Sequence, residues 1–136
     1  MSNIVENMLH INIITPEKTI FSEEAEMVVI PGIEGEFGVL AGHIPFISII
    51  KPGIINIYKD GIIVKKVFVA GGFAEINSHN CIVLAEQAVD IKNIQKHELE
   101  ERIAEIYSTL EDVTEVENTN YLHDELSALN YLKQNI

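Results

Sequence analysis

The sequence predicts a mainly β protein with an α appendage: a flattened β-sandwich of about ten short strands, then an antiparallel two-helix hairpin. Three observations predict it. Residues 8–87 run in short stretches of alternating apolar and polar side chains, punctuated by Gly, Pro, Asn and Asp. Ile and Val dominate those stretches, and β-branched side chains suit a pleated, half-buried surface. After Ala88 the apolar period lengthens from two to the helical value. The 136 residues therefore divide into a sandwich unit, 1–89, and a helical unit, 90–136.

The first strand is Leu9, Ile11 and Ile13 alternating with His10, Asn12 and Ile14, and Thr15-Pro16-Glu17 turns it. Residues 18–22 and 25–30 give two more. Pro31 to Phe46 then packs four glycines, two prolines, Glu34, Glu36 and His43 into sixteen positions. Gly admits positive φ and Pro fixes φ and removes a donor, so such density demands tight turns around strands at 37–40 and 46–50. Lys51-Pro52-Gly53 is another turn. Strands at 54–58 and 62–69 flank Lys59-Asp60-Gly61, whose Asp-Gly pair favours a tight hairpin. Gly71-Gly72 separates these from 73–76, and Asn77-Ser78-His79-Asn80 loops into 81–84. In the tail Asn93 is the expected N-cap, with Leu99, Ile103, Ile106, Tyr107 and Leu110 along one face. Thr114-Glu115-Val116-Glu117 has the form of a capping box, and Tyr121, Leu122, Leu126, Leu129 and Leu132 follow. The short linker Glu111-Asp112-Val113 forces the two helices antiparallel. So small a pair must lean on the sandwich or on another protein.

Composition narrows the function. A formal net charge of −12 opposes nucleic acid and anionic lipid, both of which need a cationic face, and leaves basic protein surfaces as partners. The single cysteine, Cys81, forms no internal disulfide and reads as a half-buried strand thiol. No apolar run approaches the roughly 18 residues that span a bilayer, and residues 1–7 resemble neither a secretory signal nor a transit peptide. A cytoplasmic protein without direct membrane insertion is expected, its contact with any membrane made through partners.

Glu34, Glu36 and His43 lie close enough in sequence to suggest a carboxylate–histidine site. Without a second nearby His, a Cys pair or an Asp ladder, metal-ligand spacing is missing. His10, His79, His97 and His123 are scattered. Gly32, Gly35 and Gly38 precede no helix that would offer an N-terminus to phosphate. Catalytic, metal and cofactor sites are therefore not expected, and a protein-facing turn is.

Glu34-Gly35-Glu36-Phe37-Gly38-Val39-Leu40, followed by Gly42-His43-Ile44-Pro45, resembles the Glu-Gly-Glu-x-Gly … Gly-His-x-Pro signature of the ε subunits of rotary ATP synthases. Thr15-Pro16-Glu17 and Phe21-Ser22 upstream match in order. Lys51-Pro52-Gly53, Ala70-Gly71-Gly72-Phe73 and Val83-Leu84-Ala85-Glu86 do so downstream, so the likeness covers about residues 8 to 90. It implies a non-catalytic central-stalk subunit coupling proton flow through the membrane ring to rotation of γ and ATP synthesis in the catalytic head. The implied partners are γ, the c subunits of the ring and, through the hairpin, the catalytic β subunits. The implied place is the cytoplasmic face of the bacterial inner membrane, peripheral through the complex. By the residue match Glu34 and Glu36 belong to the ring-facing turn, and His43 to the adjacent region near γ. A free-standing β-sandwich interaction module is the alternative.

Two departures from that family stand out. Its ATP-binding Ile/Leu-Asp-x-x-Arg-Ala motif is here Ile91-Lys92-Asn93-Ile94-Gln95-Lys96, with Lys92, Gln95 and Lys96 in place of Asp, Arg and Ala. Weak or absent ATP binding is expected. From Asp90 onward eleven acids face four bases, a formal −7. Where the family's hairpin inhibits hydrolysis, basic side chains hold it to an acidic loop, so inhibition is expected to be weak here.

Overall fold

In a computed structural model, residues 7–112 and 119–135 are described. Eight strands and two helices follow in order: β1 Leu9–Ile14, β2 Thr19–Ala25, β3 Met27–Gly32, β4 Gly35–Leu40, β5 Phe46–Ile49, β6 Gly53–Lys59, β7 Ile62–Ile76, β8 Asn80–Asp90, α1 Lys96–Asp112 and α2 Thr119–Asn135. The hydrogen-bonded strand order is β2-β1-β8-β7-β6-β3-β4, with β5 added to β7. β1 and β8 run parallel, and the other pairs are antiparallel. The fold is a mainly β sandwich with a C-terminal helical hairpin.

Local chemistry explains the turns. Thr15 Oγ1 accepts from the backbone N–H groups of Glu17 and Lys18 at 3.3 and 3.2 Å, closing the β1–β2 turn. Asp60 and Gly61 both take positive φ, 53° and 76°, as the two-residue turn between β6 and β7 requires. Asn77 Oδ1 accepts from the N–H groups of His79 and Asn80 and shapes the β7–β8 loop.

The predicted strands 62–69 and 73–76 are one strand of 15 residues. Its first part pairs with β6, Gly53 opposite Val69, and its last part with β5, Ile49 opposite Phe73. β7 therefore serves both layers, and β8 follows it across, from Asp90 opposite Val67 to Cys81 opposite Ile76. At the crossing the ladder omits the pair Gly71–Glu86, where Gly71 and Gly72 have φ of 74° and 124°. The twin glycines bend a strand instead of ending one, because paired neighbours on both sides hold it extended.

One core fills the sandwich: Leu9, Ile11 and Ile13, Val28 and Ile30, Ile55 and Ile57, Val67 and Val69, and Ala74, Ile76, Cys81 and Val83. These are the alternate positions of each strand. Cys81 is fully buried, not half-buried, and burial pushes its thiol up to about 12, so it is inert at neutral pH. A second core joins Phe68 and Ala70, on the outer face of β7, to Leu99, Ile103 and Ile106 of α1 and Leu126, Leu129 and Leu132 of α2.

The hairpin departs from expectation in detail. The expected N-cap Asn93 lies inside a 3-10 turn, Ile91–Asn93, which Asp90 caps by accepting the Lys92 N–H at 3.0 Å. Ile94 is extended, so α1 starts only at Lys96, and Leu99 donates to the Gln95 carbonyl. Glu111 and Asp112 are the last residues of α1, not linker. Val113 and the Thr114–Glu117 capping box lie outside the described residues. Tyr107 and Tyr121, assigned to the apolar stripes, are exposed. Tyr107 sits one position past the buried Ile106, while Tyr121 lies at the rim, its hydroxyl near Gly71 of β7.

Candidate partner-binding surface

Glu34 stands on the β3–β4 turn, which Gly32 opposite Gly35 closes, Glu36 lies just beyond it in β4 opposite Pro31, and both are exposed. His43 lies beyond the far end of β4. Its Nδ1 donates to the Ile44 carbonyl at 2.7 Å, and its ring tilts against Phe46, with centroids 6.0 Å apart. Phe46 in turn meets Phe37 edge-on at 5.4 Å. The Gly42 N–H donates to the Ser78 carbonyl at 2.6 Å, tying this loop to the β7–β8 loop. From Glu36 to Leu40 the strand alone spans about 13 Å, so the carboxylates and the histidine are not brought together. Among the described residues no group of three metal-ligating side chains converges. The three sequence-predicted residues therefore occupy two separate ends of β4.

A second surface feature is one that alternation alone does not reveal. Ile49 lies opposite Phe73, Phe73 opposite Leu84, and Leu84 opposite Ile14, so an apolar row crosses four strands on the outer face of the sheet. Ile49, Phe73 and Leu84 are 59%, 44% and 40% exposed. Ile47 extends the row along β5. Ile33 joins it from the β3–β4 turn, its N–H donating to the Ile49 carbonyl at 2.9 Å. Thr15-Pro16, Phe73 and Leu84 enclose a groove of about 430 Å³ at one end. The margin is polar: His10 sits between Glu24 and Ser22, its Nε2 3.3 Å from the Ser22 hydroxyl. An apolar face with a polar rim is the anatomy of a protein interface. The signal in the sequence is Phe46-Ile47-Ser48-Ile49-Ile50, apolar on both parities, which a strand with one solvated face would not be.

Lys92, Gln95 and Lys96 are structural joints between sandwich and hairpin. Lys92 gives its backbone N–H to Asp90, and the Gln95 carbonyl receives the Leu99 N–H just before Lys96 opens α1. Burial works against the Asp90 carboxylate, but the Lys92 N–H and the Lys65 ammonium, 3.0 Å away, hold its pKa below the ordinary value. Of the four bases in the tail, Arg102 is directed inward. It clasps Glu125 of α2 through Nε and Nη2, both at 2.8 Å, and also meets Glu105. Composition counts Arg102 and Glu125 as surface charges, and nothing in their spacing reveals the pair.

Comparison with known proteins gives a consistent result. The profile of the family described as ATP synthase, delta/epsilon chain, beta-sandwich domain matches residues 8–91. The ATP synthase epsilon chain of Rhodospirillum rubrum is 38% identical over 102 residues, 75% of this chain and 76% of that one. That of Parvibaculum lavamentivorans is 36% identical over 126 residues, 93% of each. Among solved structures, a chain of the Euglena gracilis mitochondrial ATP synthase (OSCP, F1 and c-ring) aligns with a TM-score of 0.74 at 21% identity. The alignment covers 95% of this chain and 81% of that one, a likeness of fold.

Proposed function

The chain belongs to the ATP synthase delta/epsilon family and is a non-catalytic, epsilon-type subunit, and from that premise we propose that it joins a γ-type coiled coil to the membrane ring. In that place it passes rotation driven by proton flow to the catalytic head. The observation that supports this most is the apolar row from Ile49 to Ile14, which a helix of γ would cover. Glu34 on the glycine-closed turn and Glu36 at the start of β4 then face cationic loops of the ring, where exposed charges set orientation and on-rate. His43 shapes the loop beside Phe46, at the γ end of the same surface. No helix among the described residues is long and apolar enough to cross a membrane. We place the subunit at the cytoplasmic face of the bacterial inner membrane, held there by γ and the c subunits.

The test is co-purification with a γ-type subunit and with the ring. Ile49→Glu puts a charge into the covered row and is expected to abolish the one-to-one complex with γ while leaving the chain folded. Glu36→Lys is expected to keep γ and weaken ring retention. A wild-type chain that binds no γ-type coiled coil supports a free-standing interaction module instead, and unchanged ring retention by the lysine variant removes the role given to Glu36.

The hairpin, residues 90–136, is proposed as a weak regulator. Its formal −7 includes a guanidinium turned inward onto Glu125, so little positive charge remains to grip an acidic loop of the catalytic β subunits. Deleting 90–136 is expected to raise ATP hydrolysis by the assembled complex less than about twofold, below 0.5 kcal/mol of restraint. A several-fold rise would contradict it. The substitutions at Lys92, Gln95 and Lys96 lead to the same reading for nucleotide: isothermal titration with ATP is expected to show no micromolar binding.

A further inference from the structure

The apolar row ends at a cleft that belongs to neither layer alone. Ile33, Ile49 and Phe73 line it together with Glu86 of β8 and with Tyr121 and Asp124 of α2, around a volume of about 480 Å³. Gly71 of β7 lies beside Glu86 and Tyr121 in this lining. A Cβ there would lie 3.2 Å from both Glu86 Cδ and the Tyr121 hydroxyl, so the missing side chain is what lets the helix and the carboxylate meet. Burial, then the charges of Glu86 and Glu125, raise the pKa of Tyr121, so its hydroxyl stays protonated. Glu86 and Asp124 have no Lys or Arg nitrogen within 4.0 Å among the described residues. Lys51 shares the rim and leaves one negative charge in excess.

We propose that this cleft receives a basic side chain, lysine or arginine, from the protein seated on the apolar row, and that its seating pins α2 against the sandwich. The proposal rests on the reading of that row as the γ-facing surface. Apolar side chains and two carboxylates lining one cleft fit a side chain that buries its stem and keeps its charge on partners. An acidic or phosphate group would meet Glu86 and Asp124 at close range, and an apolar one would leave them desolvated and unpaired. Because one wall is sheet and the other is α2, an occupant touches both units at once. Docking on the sandwich and the folded position of the hairpin then favour each other, and reciprocally so.

The test is hydrogen exchange of the full chain, free and in complex with a purified γ-type subunit, alongside affinity at two salt concentrations. The expected result is protection of β5 and β7 together with the α2 segment around 119–124, and a Kd that rises with salt. Glu86→Gln with Asp124→Asn is expected to weaken the complex about tenfold and flatten its salt dependence while keeping β5 protected. Asp124→Asn alone, on a helix surface, gives the same direction if the double variant folds poorly. Protection of β5 and β7 without α2, or a salt dependence the variants leave intact, overturns the cleft and leaves the γ-facing row standing. No complex at all overturns both.

Discussion

Gly72→Ala is expected to cost the sandwich about 4 kcal/mol, combining a strained backbone with overpacking of the ladder. Gly72 has a φ of 124°, a region side chains rarely enter, and a Cβ there would lie 2.1 Å from the Leu84 carbonyl oxygen and 2.8 Å from Ala85 Cα. Those are backbone atoms of the neighbouring strand and no rotamer change moves them, so β7 and β8 must separate where β7 passes between layers. The Gly72 carbonyl also accepts the Ile50 N–H at 2.9 Å, so the displacement reaches β5. Gly61→Ala is the control. Its φ of 76° is also positive, but nothing lies within 4 Å of the added atom, and about 1–2 kcal/mol is expected. Urea unfolding of both variants by circular dichroism measures the difference. A Gly72 variant no less stable than the Gly61 variant would mean that the crossing is not the constraint argued here. Against total stabilities of about 5–15 kcal/mol, the expected loss decides whether the apolar row exists at all.

The same crossing marks how far the sequence could be read. Thr15, Asp60-Gly61 and Asn77 are legible because a turn is local chemistry, settled within four residues. The inward residues of β1, β3 and β6 are legible because burial of one sheet face imposes a period of two. Gly71-Gly72 looks like punctuation because glycine weakens a strand interior, and only the partners of β7 on either side show that this strand continues. Residue type alone suggests Asn93 as the cap, whereas Asp90, three positions earlier, is the residue that accepts an N–H. The outer row of Ile49, Phe73 and Leu84 needs the register of three strands before it becomes a surface. Arg102 and Glu125, 23 residues apart on different helices, are paired only by the hairpin's closure.

That pair sets the second large effect. Glu125 is the one charged residue buried among those described, 3% exposed, and Arg102 meets both of its oxygens. The bidentate geometry, opposed by partial burial, raises the pKa of Arg102, so the guanidinium keeps its charge at any working pH. Arg102→Met preserves the aliphatic stem but leaves a buried carboxylate without its cation. Breaking a buried pair from one side costs about 3–5 kcal/mol, and the lower end applies because the Arg102 side chain is 40% exposed. The loss should fall on the hairpin alone, since α1 and α2 share a core of their own with one face of β6 and β7. Amides of α1 and α2 are expected to exchange about a hundredfold faster or more, with those of β1 and β8 nearly unchanged. Pairing Arg102→Met with Glu125→Leu removes the stranded charge and should restore exchange to within about tenfold of the parent, because apolar replacement of both partners is close to neutral. If the double variant were as loose as the single one, the pair would be acting through packing and not through charge. If the single variant exchanged like the parent, Glu125 would have another way to reach water, and the hairpin would be held by its leucines alone.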